Sequence, residues 1–253
     1  TYTEQVEFPE ILGASADATI TFKSATGNTG NVKIVQSSTT NTNNYVISLV
    51  GTDWITFKDL TIKNTTTGTY SNAVKMTGGA SHNTIENCLI KAGPSSYTGA
   101  GDYSTGVYMN GINEDITISN SKIHGGSCNI YWYGASTTSR ASGLTLTNNE
   151  IMNSYFYTIY GYYGEGLEMH NNKITNDSAM YTYAYGPYLY YVDKFNVSSN
   201  YIGTNMNYGY YYGILLAYGV GYNSPRSVFA NNCIYAGSTT ATSYGYYGAY
   251  MYG

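Results

Sequence analysis

Seven copies of one six-residue pattern restrict this chain more than any other feature. An apolar anchor is followed by polar residues rich in asparagine, and isoleucine closes the pattern five positions on. The copies are Phe57–Ile62, Ile85–Ile90, Ile118–Ile123, Leu146–Ile151, Met169–Ile174, Val197–Ile202 and Phe229–Ile234. Successive anchors lie 28, 33, 28, 23, 28 and 32 residues apart. Repeats of this length belong to stacked architectures, in which a unit buries its apolar face only against its neighbours. Most copies carry another apolar residue two positions before the anchor, at Ile55, Ile116, Leu144, Leu167 and Phe195. That alternation marks a strand with one buried face. Two positions after the anchor stands Asn87, Asn120, Asn148, Asn171 or Asn231, with Asp59 and Ser199 in the other two copies. Asparagine tolerates left-handed backbone and bonds its own neighbours. The chain is therefore expected to bend here, with stacked side chains bonded in a ladder. The isoleucine then opens the next strand and returns to the core.

A second pattern fills the rest of each period: a small residue, then apolar, any, apolar. It occurs at Ala73–Met76, Gly106–Met109, Asn129–Trp132, Gly213–Leu216 and Gly248–Met251, and more loosely at Thr158–Gly161 and Gly186–Leu189. One period thus holds about three short strands joined by turns. Composition agrees. Thirty-two tyrosines, 29 glycines and few charges (10%) favour strands and turns over long helices. Three strands, a bend asparagine and an inward isoleucine per turn resemble the right-handed parallel β-helices of the pectin-lyase-like class. The stretches at Thr1–Val6 and Ile20–Ser24 are similar to early coils of β-helix repeats in large secreted proteins of Bacteroidetes-type bacteria. The resemblance implies an all-β, single-stranded right-handed parallel β-helix over residues 1–253, with residues 1–52 forming less regular first coils. Roughly nine coils about 4.8 Å apart would make a rod of about 40–45 Å.

The resemblance also implies an extracellular or bacterial cell-surface setting. The chain opens at Thr1 and closes at Gly253 in segments that both read as strands, so it is expected to be part of a longer protein. Its longest apolar stretch, around Gly213–Gly221, is broken by glycines and falls short of the ~18 residues of a membrane span. The net charge is −4, and 11 Lys and Arg are scattered along the chain, which disfavours nucleic acid as a partner.

Many β-helices cleave acidic polysaccharides, but activity has to be argued from a site rather than a fold. A pectate-lyase-type site needs clustered acids for calcium and an arginine base. Arg140 and Arg226, the two arginines, lie outside any acidic cluster in the sequence. The His124–Gly125–Gly126 stretch echoes a polygalacturonase motif, and Glu114 and Asp115 precede it, yet no paired aspartates accompany them. Glu165 and Glu168 are the nearest carboxylate pair, and three positions apart in a strand they point to opposite faces. His82, His124 and His170 are expected as solvated turn residues. Cys88, Cys128 and Cys233 show no metal or redox spacing and read as small buried thiols. No cofactor or metal is called for. Acceptor patterns for N-glycans begin at Asn64, Asn176 and Asn196, and Asp177–Ala179 resembles a bacterial O-glycan acceptor.

The informative departure is tyrosine. Residues 1–127 hold six and residues 128–253 hold 26. In the second pattern the apolar positions face inward, so the residues between and after them face out. Those residues are Tyr108 with Asn110, Tyr131 with Tyr133, Tyr160 with Tyr162, Tyr188 with Tyr190, Leu215 with Ala217, and Tyr250 with Tyr252. Further tyrosines, among them Tyr157, Tyr181, Tyr185, Tyr208, Tyr212, Tyr244 and Tyr247, are expected in the preceding loops. Stacked tyrosines stabilise a sheet by about 0.2–1 kcal/mol per cross-strand pair. A continuous aromatic face is also a contact surface. The preferred expectation is therefore a non-enzymatic adhesion module that contacts a polysaccharide or another surface protein through this stripe. A polysaccharide lyase or glycoside hydrolase, and a purely structural spacer, are the alternatives.

Overall fold

The computed structural model describes residues 1–38, 40–177, 183–206, 209–219, 226–237 and 245–253. Every regular element among them is a strand, and no helix is long and apolar enough to cross a membrane. The strands form three long parallel sheets of nine, nine and eight strands, visited in strict rotation. This is the three-sided solenoid expected from the repeat, with nine coils.

Each side of the solenoid corresponds to one feature of the repeat. On the isoleucine sheet, Ile34, Ile62, Ile90, Ile123, Ile151, Ile174, Ile202 and Ile234 pair in direct register. They form one column; those from Ile62 to Ile202 are fully buried, and Ile234, in the last coil, is partly buried. On the anchor sheet, Phe22, Phe57, Ile85, Ile118, Leu146, Met169, Val197 and Phe229 form a second column. On the third side, the tyrosine sheet, Phe8, Leu49, Met76, Met109, Trp132, Gly161, Leu189, Leu216 and Met251 line the inside. A parallel register repeats the same position every coil, so inward residues stack on inward ones; where a large ring intervenes, as at Trp132, the next coil places Gly161 against it.

All seven bend residues adopt left-handed backbone, with φ between 47° at Asn87 and 59° at Asp59. The bend residues bond as expected at Asn87, whose Nδ2 donates to Asp59 Oδ1 at 2.6 Å, but the longer buried ladder is built one residue further on. Asn172 Oδ1 accepts both the backbone N–H and the side-chain N–H of Asn149, at 3.0 Å each. Asn200 Oδ1 does the same for Asn172, and Asn232 Oδ1 for Asn200. The left-handed residue turns its own side chain outward, so its successor is the one that faces the interior.

Candidate functional site

The outer face of the tyrosine sheet is set by a break in strand alternation. Gly106, Asn129 and Thr158 are buried, as are Val107, Ile130 and Ile159 that follow them. A Cβ on Gly106 would stand 2.6 Å from Ile123 Cγ2 and 2.5 Å from the Asn129 carbonyl oxygen, so this position faces the core and has no room for a side chain. Two successive inward residues, as at a β-bulge, reverse the alternation upstream of them. Thr105, Cys128, Tyr157, Tyr185, Tyr212 and Tyr247 therefore lie on the outer face in one register column. Strict alternation places these four tyrosines in loops, and the structure corrects this. They belong to strands of six to eight residues, Tyr157–Tyr162, Tyr183–Tyr190, Tyr210–Ala217 and Gly245–Tyr252. Tyr181, Tyr208 and Tyr244 lie outside the described residues.

The outer face is thus an aromatic lattice several columns wide. In the middle column Tyr108, Tyr131, Tyr160 and Tyr188 stack at 4.9, 5.5 and 5.3 Å between ring centroids, with planes within 8° of parallel. Leu215 and Tyr250 continue that column. Beside it, Tyr133, Tyr162 and Tyr190 stack at 5.1 and 4.9 Å. Ala217 and Tyr252 follow. On the other flank Tyr157, Tyr185, Tyr212 and Tyr247 stack at 5.0, 5.0 and 4.7 Å. A further column comes from residues not anticipated at all. Tyr163, Tyr191 and Tyr218 each sit in left-handed backbone just past the strand end and stack at 5.4 and 5.3 Å. Their rings meet Tyr162 and Tyr190 edge-on. Tyr218 also meets Tyr252, so it spans the coil where Ala217 interrupts its column. The available signal was the repeated Tyr-Tyr pair at 162–163 and 190–191.

This geometry corrects the expected exposure. Tyr108 and Tyr131 are buried, at 5% and 8% relative exposure. The segment from Ala92 to Ser104 accounts for this. Ala100 packs on the cluster of Tyr108, Cys128 and Tyr131. Asp102 holds the segment down by accepting from Asn44, Asn72 and Lys75, the last at 2.5 Å. Lys75 precedes Tyr108 in the same register column, and its ammonium sits 5.7 Å from the Tyr108 ring centre. Tyr133, Tyr160, Tyr162, Tyr188 and Tyr190 are half-buried, and Tyr250 and Tyr252 are exposed. Ring spacings near the strand spacing mean that the ring faces look along the solenoid axis and cover one another. Solvent therefore meets ring edges and phenol hydroxyls. Burial raises the Tyr160 phenol to about 12, and it pushes Tyr131, Tyr157 and Tyr188 upward as well. These four phenols stay protonated and able to donate well above neutral pH.

The other candidate residues are dispersed. Glu165 pairs with Lys194 at 3.0 Å, while Glu168 sits on another strand and meets His170 Nε2 at 2.5 Å. His170 Nδ1 lies 2.7 Å from Ser198 Oγ. Arg140 donates to the carbonyls of Gly164 and Tyr191 and so ties coils together. Arg226 is exposed. Glu114 is bonded through its backbone to Ser81, and Asp115 lies 3.3 Å from His82, whose ring stacks on Trp54. His82 occupies a left-handed turn as expected, but His124 and His170 are the last residues of strands. Among the described residues no three His, Cys, Asp or Glu converge as a metal group. Cys88 and Cys128 are buried free thiols, and burial raises Cys88 to about 12. Cys233 is exposed, contrary to expectation, because it stands directly before the inward Ile234, in the outward column of Lys173 and Tyr201, whereas Cys88 stands two positions before Ile90. Asn64 is buried, and its amide donates to Ser38 and to the Asn72 carbonyl; Asn176 is also buried. Neither can take a glycan in the folded chain. Ser178 and Ala179 lie outside the described residues, and Asn196 is half-buried in a strand.

The comparisons with known proteins agree with this architecture. A family model described as a right handed beta helix region matches residues 105–252. An alginate lyase from Paenibacillus sp. str. FPU-7 has a similar structure, with a TM-score of 0.51 and 13% identity, over 99% of this chain and 91% of the lyase. No curated protein sequence matches this one.

Proposed function

This chain belongs to the right-handed β-helix family, and from that premise we propose that it is a non-enzymatic binding module of a larger secreted or cell-surface protein, contacting polysaccharide through the outer face of its tyrosine sheet. The observation that carries the reading is the lattice itself. It spans successive coils and extends far beyond what closing the core requires. Because the ring faces are covered, recognition runs through hydroxyls and ring edges, which suits a ligand with many hydroxyls of its own. The rows repeat at the coil spacing of about 4.8 Å, close to the length of one sugar unit in an extended chain, so a glycan lying along the axis would meet the same groups at each step. The half-buried and exposed members, Tyr160, Tyr162, Tyr188, Tyr190, Tyr250 and Tyr252, form the contact. Tyr108, Tyr131 and Tyr133 support it from the covered end. The test is Tyr162→Ser with Tyr190→Ser, which spares the buried column. Glycan-array binding should be lost while the circular-dichroism spectrum stays native, with the melting temperature lowered by the lost ring stacking but well above the assay temperature. Undiminished binding in the folded double variant overturns the reading.

A polysaccharide lyase is the second reading, favoured by the fold shared with an alginate lyase across nearly the whole chain. It requires β-elimination activity. Incubation with alginate and with pectate, followed by the ultraviolet absorbance of the unsaturated uronate, separates the two readings.

A further inference from the structure

The lysines of this chain are scattered in sequence but gathered in space. Five of the nine, Lys33, Lys63, Lys91, Lys122 and Lys173, fall 30, 28, 31 and 51 residues apart, close to one or two coils each. Each stands directly before or directly after an isoleucine of the buried column, at Ile34, Ile62, Ile90, Ile123 and Ile174. In a strand such positions face outward, so all five project from the outer face of the isoleucine sheet. Lys63 and Lys91 are register partners, and Lys33 and Lys122 lie on the strands that flank them. Four consecutive coils thus present one ammonium each, and Lys173 adds another two coils further on. Lys33, Lys122 and Lys173 are exposed, and Lys63 and Lys91 are half-buried. Glu150 is the one acidic residue at an outward position of these strands, and it pairs with Lys122 at 2.7 Å. Lys33, Lys63, Lys91 and Lys173 take part in no ion pair among the described residues. The whole chain has a net charge of −4, so this file of cations stands against the charge of the molecule around it.

We propose that this stripe binds a linear polysaccharide carrying about one anionic group per sugar, laid along the solenoid axis. Shape selects the class. The stripe is about 7 Å wide, the distance between alternate residues of a strand, and five coil steps or about 24 Å long. That is the footprint of one extended polymer chain. Its ammoniums recur once per coil, and a sugar unit of an extended glycan is about as long as the coil step. Duplex nucleic acid is far denser, with a charge about every 1.7 Å, and the negative charge of the whole chain repels it. A nucleic-acid single strand needs aromatic side chains on which its bases stack. Among the described residues no Phe, Tyr or Trp stands at an outward position of these strands from Lys33 to Lys173. A membrane surface extends in both directions, whereas these cations run in a single file. The face is separate from the tyrosine sheet, and the inference does not rest on the reading of that sheet.

The test is isothermal titration calorimetry of the whole chain with decagalacturonate, with its methyl ester and with a thymidine decanucleotide. Decagalacturonate should bind saturably, and its affinity should fall about tenfold or more between about 50 and 200 mM NaCl, as the release of counterions from three or four contacts requires. The methyl ester should not bind, and the decanucleotide should bind more weakly than the uronate. Lys63→Gln with Lys91→Gln keeps side-chain length and should weaken binding about tenfold or more, with a shallower salt dependence. Lys23→Gln with Lys58→Gln removes the same charge from a register pair on the anchor sheet and should leave the affinity within about twofold, because salt screens charges beyond about 10 Å. Glu150→Gln frees Lys122 and should strengthen binding. Tyr162→Ser with Tyr190→Ser should leave the titration unchanged, so failure of the tyrosine reading and failure of this one are separable. Circular dichroism establishes that each variant is folded. No saturable binding of decagalacturonate, equal binding of the ester or of the decanucleotide, or equal losses from the two lysine pairs overturns the proposal.

Discussion

At the scale of single residues, two adjacent asparagines in the same repeat carry different work. Asn171 is exposed and holds φ at 55°. Asn172 is buried, accepts two bonds from Asn149, and donates to the Leu146 carbonyl and to Asn200. Replacing Asn171 by glycine keeps the left-handed backbone available and should change stability by no more than about 0.5 kcal/mol. Asn172→Ala strands two buried donors of Asn149 and should cost about 1–3 kcal/mol or more, read as a lower urea midpoint with an unchanged slope. Equal effects from the two changes would mean that the ladder contributes nothing beyond the bend. Cysteine accessibility follows the same logic of position. Cys233 should react with a thiol reagent in the native protein, while Cys88 and Cys128 should react only after unfolding, since both are buried and burial raises both thiols.

At the scale of the sheet, the lattice makes a prediction about alkali. A phenol ionises near 10 in an unfolded chain, whereas Tyr160 is raised to about 12 in the fold, and Tyr131, Tyr157 and Tyr188 move the same way. The folded state therefore holds protons that the unfolded state has already lost. Its stabilisation is intact below pH 10 and declines as pH climbs from about 10 through about 12. Melting temperatures at pH 8, 10 and 11.5 should be flat across the first interval and fall over the second. An unchanged melting temperature at pH 11.5 would show that the buried phenols of the lattice contribute nothing to this decline. This sheet also marks the limit of what the sequence discloses. The Tyr108 and Tyr131 stripe was legible because strict alternation holds over the last four residues of each strand. The column of Tyr157, Tyr185, Tyr212 and Tyr247 was not, because two consecutive inward residues shift the parity and a period-two reading stops there. The covering of Tyr108 was hidden for a different reason: Asp102 reaches back 58 residues to Asn44 and 27 to Lys75, and no local pattern announces such a contact.

At the scale of the whole molecule, the isoleucine column was legible from Ile62 to Ile234, because one position per coil decides inside from outside and the same residue recurs there; Ile34 lies outside the seven copies. The surroundings of His124 were not legible, since Lys91 and Asn153 reach it from the coils on either side. The same stacking governs how the solenoid comes apart. Each coil bonds and packs on its two neighbours, so stability is distributed along the axis in nearest-neighbour terms. Ile151 is fully buried near the middle of its column, between Ile123 and Ile174. Ile151→Ala should cost about 2–5 kcal/mol by the cavity it leaves. Ile234→Ala, at a partly buried position in the last coil, should cost less. Amide hydrogen exchange distinguishes a nearest-neighbour stack from a single cooperative block. In a stack, Ile151→Ala speeds exchange most in the strands Lys122–His124, Glu150–Met152 and Lys173–Thr175, and progressively less towards Lys33–Gln36 and Cys233–Ala236. In a block, every strand accelerates by the same factor. The polar ladder joins Asn149 through Asn232 but reaches the coil of Cys88 through a serine, Ser121, so the graded loss should be shallower towards the C-terminal coils than towards the N-terminal ones.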